Sequence, residues 1–582
     1  MPAGDLDPGP PKDFEGGFPR LVNLTQGCIR RGNDERLVDR VLKDLGELTV
    51  DYGLRYDYLT YSREQYGRTP DFSATTPNST AAGRLGASIF EGDGPGRCGC
   101  SFAHNYPLAF GPRLGVAYQI NSKTVFRAGL GVVYSSSPGG SQGVSGASQT
   151  ANAPGYGDPA FTLSSGYPVS PVWPDLRANL FPDPRTFAGQ PNLVDQNAGR
   201  PARQVQWSAG FQREIARNLV VDAAYVANRG AWWQTSALNQ YNGLQPDILK
   251  QVYGLDITNA ADRTILAAQV QQTAAGRFQN RVPFPGFPTT FSVARSLLPF
   301  PQFANSASIT SAGPLGKTWY DSLQTKVTKR LSHGLDATYS FTWSKELQLG
   351  VESDTGGGAG EINDVFNRNT NKTYSSFSRP LWNVLALNYS VPKVKIHRYA
   401  DYLLSEWTFG TVLQYGSGQP ILVPGTAVIN NAAALLRGTH AERVPGQPLF
   451  LADLNCHCFD PATKQVLNPK AWTDPVPGTF ASSPVFYNDY RYQRRPKETL
   501  SFGRVFSIRE NVKFQLRAEF TNPFNRTQVP NPSVGGYATG ITQQVGFNGN
   551  KVNAAGFGAI ATQPASAVIG ERSGLLVGRL TF

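Results

Sequence analysis

Apolar and polar residues alternate along many segments of this chain. In the segment from Leu48 to Tyr58, leucine, valine and tyrosine occupy every even position, and threonine, glycine and charged residues occupy every odd one. Successive side chains of a β-strand point to opposite faces, so this period of two predicts a strand with one apolar and one polar face.

Eleven more segments alternate in the same way and predict further strands. In chain order they cover residues 113–120, 124–134, 205–212, 219–228, 322–331, 335–343, 382–391, 407–416, 500–508, 512–520 and 574–582. Short connections join the members of most pairs, whereas polar segments of tens of residues separate the pairs. This predicts an all-β fold, an antiparallel transmembrane β-barrel of outer-membrane type with short periplasmic turns and long extracellular loops.

The composition agrees with strands, turns and loops. Of 582 residues, 60 are glycine and 43 are proline, and only 16% are charged. Since no stretch approaches the ~20 consecutive apolar residues that a membrane helix needs, a helical membrane protein is excluded. Lipid offers no partners for backbone amides, so the strands are expected to leave no edge unpaired.

Charge and local motifs argue against two other functions. The formal net charge is +12, but lysine and arginine are scattered without a dense basic run, so no nucleic-acid partner is expected. The sequence lacks a G-x-S-x-G elbow, an H-E-x-x-H motif and a phosphate-binding loop, and its five histidines are dispersed. We therefore expect no enzyme activity, and we assign no catalytic, cofactor-binding or metal-binding residue.

Two features of the predicted loops leave alternatives open. Cys98 with Cys100, and Cys456 with Cys458, either form loop disulfides in an oxidising compartment or contribute soft ligands to a metal site. The basic group before residue 500 either contacts lipopolysaccharide phosphates or is ordinary loop charge; it comprises Arg491, Arg494, Arg495 and Lys497.

Several phrases, taken in order, resemble the Oar-like TonB-dependent transporters. They are LTVDYGLRYDY from Leu48, GPRLGVAYQI from Gly111, TVFRAGLGVVY from Thr124, QWSAGFQREI from Gln206, YDSLQTKVTKRLSHGLDATYSFTWSK from Tyr320, NPFNRTQVPNP from Asn522 and the final GLLVGRLTF. The resemblance implies a transporter barrel over residues 47–582. Residues 1–46 would be an irregular or truncated segment. Within it, 34–45 is either a short amphipathic helix or an altered remnant upstream of a truncation, where the family would have another strand.

The resemblance also implies a location and partners. It places the chain in the outer membrane of a Gram-negative-type bacterium, in contact with lipid, the barrel assembly machinery and an unknown substrate. Because the sequence starts without a secretory signal, an energy-coupling box or a plug, we expect a barrel that is incomplete at its N-terminus. The inner-membrane energy-transducing complex is then a partner only if a plug domain is supplied. The alternative is a plugless structural or adhesive surface barrel.

Aromatic residues near the predicted strand ends are the candidate functional positions. Tryptophan and tyrosine prefer the membrane interface, where an amphipathic ring lies half in water. We expect an interfacial girdle made of Tyr56, Tyr58, Tyr134, Trp343 and Tyr415. The same rings could pack inside a soluble sandwich only if a second sheet covered every apolar face. By the resemblance, Phe582 is the terminal aromatic that the assembly machinery reads.

Overall fold

The computed structural model describes most of the chain beyond residue 46. The described residues are 22–23, 47–61, 70–94, 97–135, 164, 194–235, 238, 242–303, 313–350, 363–364, 366–392, 405–426, 440–456, 458–509, 511–546, 548–562 and 571–582. The segment 34–45, with its two predicted alternatives, lies outside them.

The described chain contains twenty-two strands and a few short helices. The strands are β1 (Val22–Asn23), β2 (Leu48–Leu59), β3 (Pro70–Asn78), β4 (Arg84–Phe90), β5 (Tyr106–Asn121), β6 (Thr124–Tyr134), β7 (Arg203–Ala216), β8 (Leu219–Thr235), β9 (Gly313–Ser332), β10 (Leu335–Leu349), β11 (Lys372–Tyr374), β12 (Leu381–Ser390), β13 (Trp407–Gly416), β14 (Pro420–Leu422), β15 (Glu442–Arg443), β16 (Trp472–Thr473), β17 (Phe486–Arg491), β18 (Lys497–Arg509), β19 (Val512–Thr521), β20 (Thr542–Val545), β21 (Lys551–Ala555) and β22 (Ser573–Thr581). The α-helices are α1 (Pro246–Tyr253), α2 (Ala260–Ala267) and α3 (Val293–Ser296), and 3-10 turns cover Ser79–Ala81, Thr273–Phe278, Arg368–Asn371 and Pro469–Ala471. None of these described helices has the length and apolar character needed to cross a membrane.

One antiparallel sheet of 14 strands dominates the molecule. Its order is β1-β2-β5-β6-β7-β8-β9-β10-β12-β13-β18-β19-β22, with β11 added beside β10. All twelve predicted strands belong to this sheet, so the predicted all-β antiparallel fold is confirmed. Several are longer than their alternation showed; the strand predicted over 322–331 runs from Gly313 to Ser332. Within the described residues, no pairing joins β22 back to β1 or β2.

Two of the short connections turn through left-handed backbone conformations, with Asn218 at φ 64° between β7 and β8 as the first. The turn from β9 to β10 places His333 at φ 53° and Gly334 at φ 77°. A Cβ atom at Gly334 would lie only 2.2 Å from the carbonyl oxygen of Ser390 on β12. Glycine is therefore required here both for its positive φ and for the close approach of β12.

Cross-strand pairing sorts the side chains of the large sheet onto two faces. One row of partners runs Val50, Val116, Ala128, Ala209, Tyr225, Leu323, Trp343 and Leu381. The next row along the strands runs Asp51, Gly115, Gly129, Ser208, Val226, Ser322 and Ser344. We call the first side the apolar face and the second the polar face. Large side chains of the apolar face are exposed in the isolated chain, among them Val50, Leu323 and Trp343.

Hydrogen-bonded rows run obliquely across the sheet. The row that starts at Leu48, the first residue of β2, passes through Tyr118, Phe126, Phe211, Ala223, Thr325, Phe341 and Asn383 to Tyr415. Leu48 lies at the short-turn end of its strand, whereas Tyr415 lies at the long-loop end of β13. The strands are therefore staggered, as a closed barrel requires when its strands tilt against the barrel axis.

The long loops pack into two apolar cores. The first loop core surrounds α1–α3 and includes Leu249, Leu266, Val293 and, from the first long loop, Ala81. The second loop core joins the last two long loops and includes Ile421, Leu467, Trp472, Tyr490 and Phe557. Phe366 and Phe480 pack against the first loop core, with ring centroids 6.2 Å apart. The loops of different hairpins therefore share one packed layer, which we call the loop layer.

Candidate functional site

The predicted girdle residues all lie on the apolar face. Tyr56 packs against Phe110 with ring centroids 4.8 Å apart, and Tyr134 packs against Tyr106 at 6.3 Å. Tyr58 accepts a 3.4 Å hydrogen bond from the Asn105 amide. Four of the five lie near long-loop ends of their strands, as predicted from the sequence; these are Tyr56, Tyr58, Tyr134 and Tyr415.

Trp343 and Phe582 occupy different positions on the same face. Because β10 continues to Leu349, Trp343 lies inside the strand and not at its end, and 60% of its surface is exposed. Phe582 follows the last residue of β22 and is 94% exposed. It continues the side of β22 that carries Leu576 and Leu580, both also exposed. The interfacial and assembly roles of these residues stay predictions.

Tyr415 belongs to a polar cluster at the long-loop end of β13. Its hydroxyl donates a 2.7 Å hydrogen bond to the carboxylate of Glu498 at the start of β18. Arg526, from the last long loop, donates from Nε to both carboxylate oxygens of Glu498, at 3.0 and 3.1 Å. The Glu498 side chain is only 1% exposed. The cluster thus fastens the last long loop to the sheet by a buried charge.

A recess of about 770 Å³ lies along β2, β5, β6, β7 and β8. Two adjacent rows of the polar face line it, and half of their positions are glycine. The first row is Asp51, Gly115, Gly129 and Ser208; the second is Gly53, Arg113, Gly131 and Gln206. Glycines let a solute approach the backbone closely, and the four side chains offer a carboxylate, a guanidinium, a carboxamide and a hydroxyl for hydrogen bonding. The recess can therefore hydrogen-bond a polar solute or an extended peptide.

The packing of the recess does not require its glycines. A Cβ atom at Gly53 would meet nothing within 4 Å, and one at Gly129 would come no closer than 3.7 Å to the Ser208 hydroxyl. Elsewhere on the polar face, a Cβ atom at Gly210 would lie 2.6 Å from the carbonyl oxygen of Ala223. The recess glycines thus leave open a space that side chains could fill, which favours a binding role over a packing role.

This difference predicts unequal stability effects for two matched substitutions. Gly129→Ala should change the free energy of unfolding by less than about 1 kcal/mol, since the methyl group enters open space. Gly210→Ala should lower it by about 1–3 kcal/mol, because strands must shift to admit the methyl group. Urea unfolding of the refolded chain in lipid vesicles measures both values. Equal effects would show that the glycines of the recess are also needed for packing.

A second cavity, of about 580 Å³, opens in the loop layer beside the second loop core. Its lining includes Asp453, Asp489, Arg491, Tyr492 and Arg494. Arg491 donates to the carbonyl oxygens of Ser378 at 2.7 Å and Gly418 at 3.0 Å, and Arg495 donates to Asn531 at 2.9 Å. These bonds hold Arg491 and Arg495 in the loop layer, which favours ordinary loop charge for these two residues. Arg494 and Lys497 are exposed, and for them both alternatives stay predictions.

Both cysteine pairs are joined as disulfides in the structure. Cys98 bonds to Cys100 in the first long loop, and Cys456 bonds to Cys458 beside the second cavity. Of the two alternatives, the loop disulfides are thus observed. No group of three or more potential metal ligands occurs within the described residues.

Two buried titratable groups in the loop layer respond to pH with opposite signs. Burial raises the pKa of Asp71, on β3, to about 7. Burial lowers the pKa of His440, beside the second loop core, to about 4. Between pH 4 and 7, Asp71 is protonated in the folded loop but ionised in the unfolded loop. Over nearly the same range, below about pH 6.5, His440 is neutral in the folded loop but protonated in the unfolded loop.

Hydrogen exchange should therefore change in opposite directions in the two loops. As pH rises from 4 to 7, the stability that protonated Asp71 gives to the β3–β4 hairpin is lost. As pH falls from 6.5 to 4, the stability that neutral His440 gives to its loop is lost. Exchange rates corrected for intrinsic pH dependence report both changes. Asp71→Asn should remove the pH dependence of exchange in the β3–β4 hairpin only, and His440→Gln should remove it in the His440 loop only. If either substitution changed the pH dependence in both loops, the assignment of each effect to its own residue would be contradicted.

The recess was not predicted from the sequence because its fourteen lining residues are spread over five strands. The available signal was a set of glycines on the polar side of the alternation, such as Gly129 and Gly131 in the strand 124–134. Only the cross-strand register shows that Gly115 of β5 lies next to Gly129 of β6.

Comparison with known proteins gives a family and a set of similar folds. A family model described as "Outer membrane beta barrel domain" matches residues 45–572. No curated protein matches the chain. Similar solved structures include the FpvAI–pyocin S2 complex, with 10% identity, a TM-score of 0.34 and coverage of 92% of this chain and 35% of that chain. The ferric-catecholate import receptor Fiu from Escherichia coli K12 has 9% identity and a TM-score of 0.33, with coverage of 92% of this chain and 42% of that chain. The FrpB iron transporter from Neisseria meningitidis has 9% identity and a TM-score of 0.34, with coverage of 94% of this chain and 49% of that chain. This chain thus spans between a third and a half of the length of these proteins.

Proposed function

Because the chain belongs to the family of outer membrane beta barrel domains, we propose that it is the barrel of an Oar-like TonB-dependent transporter. It lies in the outer membrane of a Gram-negative-type bacterium. In this proposal a substrate binds at the loop layer and passes along the polar face of the barrel. Energy comes from the inner-membrane transducing complex, acting on a plug domain inside the lumen.

The polar face of the sheet carries the proposal. Polar residues and glycines predominate on one side of the twelve long strands, with a few apolar residues such as Val226 among them. The recess lies on that side. A wall of this kind suits a lumen through which polar material moves. A plug segment or a passing solute could approach the backbone closely at Gly53, Gly115, Gly129 and Gly131. The ordered phrases that resemble Oar-like transporters supply the finer assignment.

Further roles follow from the same proposal. Residues 47–582 form the barrel domain, the apolar face contacts lipid, and Tyr56, Tyr58, Tyr134, Trp343 and Tyr415 form its interfacial girdle. Phe582 presents a free aromatic ring to the barrel assembly machinery. The mechanism is binding and gated passage, without catalysis.

The second candidate is a structural or adhesive surface barrel. The packed loop layer favours it, because two apolar cores give the long loops a defined outer surface that could bind another surface directly. No substrate would then enter the barrel, and the recess would have no role in function.

Uptake measurements in the native bacterium distinguish the two candidates. The gene is deleted, and uptake of labelled metal chelates, cobalamin, oligosaccharides and peptides is measured with and without a protonophore. Loss of a protonophore-sensitive uptake supports the transporter. Unchanged uptake together with reduced surface attachment supports the adhesive barrel and rejects the transporter.

Complementation tests the recess itself. Gly53→Leu/Gly129→Leu fills the recess, and it should restore less uptake than the original gene although the protein reaches the membrane in equal amount. The matched control is Gly535→Leu/Gly540→Leu in the last long loop, where a Cβ atom also meets nothing within 4 Å. Full uptake with the filled recess would exclude a role for it in passage.

A further inference from the structure

Two arginines stack on one tryptophan at the long-loop ends of β7 and β8. The guanidinium carbon of Arg203 lies 4.2 Å from the centre of the Trp232 ring, and that of Arg200 lies 4.6 Å from it. Tyr106 completes the group, 5.8 Å from Trp232 between ring centroids and 5.3 Å from the Arg200 guanidinium. We call Arg200, Arg203, Trp232 and Tyr106 the rim cluster.

The backbone of β8 is distorted to place the Trp232 ring in this cluster. Trp232 has φ 65°, in the left-handed region that bulky residues rarely adopt, and the β8–β9 register shifts between Ala231 and Trp233. Regular alternation would put Trp232 on the polar face, opposite to Ala231. The distortion instead brings its ring against Arg203, which pairs with Tyr134 and Ala231 on the apolar face. Such strain persists where surrounding contacts require it, often at binding sites.

The cations of the rim cluster have no acidic partner. The Nε atoms of Arg200 and Arg203 are buried without a hydrogen-bond partner, and neither residue forms an ion pair with a carboxylate in the described part of the chain. Lys317 on β9 follows Arg203 and Ala231 in the same row, two strands away, at about 10 Å. Three cations thus share one edge of the apolar face.

A nearby arginine on the same face shows the contrast. Arg229 donates to both carboxylate oxygens of Asp321, at 2.9 and 3.0 Å, and stacks on Trp207 at 5.2 Å. Its charge is therefore balanced within the protein. Arg203, by contrast, hydrogen-bonds to the neutral Tyr134 hydroxyl, and no carboxylate of the described residues balances the charges of the rim cluster.

We propose that the rim cluster binds the phosphate of a lipid headgroup in the outer leaflet. The cluster lies where the apolar face meets the long loops, which is the headgroup level when those loops are extracellular. Guanidinium groups bind phosphate oxygens in pairs, and stacking on tryptophan holds them in place without neutralising them. The site lies on the lipid side of the barrel and does not depend on transport through it.

Native mass spectrometry of the full chain in detergent tests the proposal, with diphosphorylated lipid A as the probe. Arg200→Gln/Arg203→Gln should weaken lipid A binding by about tenfold or more, because charge-assisted hydrogen bonds to phosphate are among the stronger ones. Arg229→Gln is the matched control and should stay within about twofold, since it removes a cation already paired with Asp321. Lipid A stripped of its phosphates should bind the original chain as weakly as intact lipid A binds the double variant.

Three results would overturn the proposal. They are unchanged binding by the double variant, equal binding of the dephosphorylated lipid, and displacement of lipid A by inorganic phosphate at equal concentration, which would indicate a free-anion site. Heat-modifiable migration in electrophoresis verifies that each variant is folded. If the double variant does not fold, Arg200→Gln alone decides by the same comparison, because Arg200 lies before β7 and makes no strand pairing.

Discussion

Leu323→Lys is expected to lower the free energy of unfolding from lipid by about 2–4 kcal/mol, which is the cost of a lysine near the middle of a lipid-facing strand. Leu323 lies halfway along β9 on the apolar face, between Tyr225 and Trp343 in its row, and is 41% exposed. In the proposed orientation that exposed surface contacts acyl chains, which cannot solvate an ammonium group. Urea titration in vesicles measures the change.

The adjacent residue provides the control. Gln324 lies on the polar face of the same strand, where its amide donates a 3.2 Å hydrogen bond to Ser322. Gln324→Lys places the same charge at nearly the same depth but on the other side of the sheet, and should cost less than about 1 kcal/mol. Equal costs for the two lysines would contradict the assignment of the apolar face to lipid.

Arg526→Ala is expected to lower the local stability at the long-loop end of the β18–β19 hairpin by about 3 kcal/mol. The substitution leaves the buried carboxylate of Glu498 without its counter-charge. Tyr415 would remain as a hydrogen-bond donor, but a neutral hydroxyl does not balance a charge at 1% exposure. Hydrogen exchange should accelerate about 100-fold at the long-loop ends of β13 and β18, if local opening dominates there.

Two variants distinguish the effect of a buried unpaired charge from the effect of losing an ion pair at the surface. Arg443 and Asp489 form an ion pair with side chains 31% and 58% exposed, so Arg443→Ala should cost less than about 1 kcal/mol. Adding Glu498→Gln to Arg526→Ala should recover most of the lost protection, because it removes the buried charge. Failure of this rescue would indicate that Arg526 acts through packing and not through its charge.

The strands were predictable because their signal is local. Alternation in segments such as 124–134 and 407–416 depends only on which face each residue occupies, and both strands have the predicted bounds. Strand lengths were underestimated where pairing continues beyond the alternating residues. The last six residues of β10, after Trp343, pair with β9 without a clear alternation, so Trp343 lies inside its strand.

The loops were not predictable in the same way. The hairpin β3–β4 and the helices α1–α3 are short, and their apolar residues pack against other loops, as Phe72 does against Phe300 and Phe303. Sequence reasoning treated these segments as long polar loops, because no local period marks an element that is stabilised by distant residues. The same limit applies to the rim cluster, where Arg200 and Trp232 are brought together by the pairing of β7 with β8.

The sequence by itself determined the strands, their two faces and the contrast between short and long connections, since each depends on neighbouring residues only. The tertiary structure decided which glycines adjoin in the recess, which loops share a core and which charges have partners. The physical reason is that register joins residues far apart in the chain: Asp51 lies next to Gly115, and Glu498 is balanced by Arg526. Contacts of this kind depend on the pairing of whole strands, which a local pattern of polar and apolar residues does not contain.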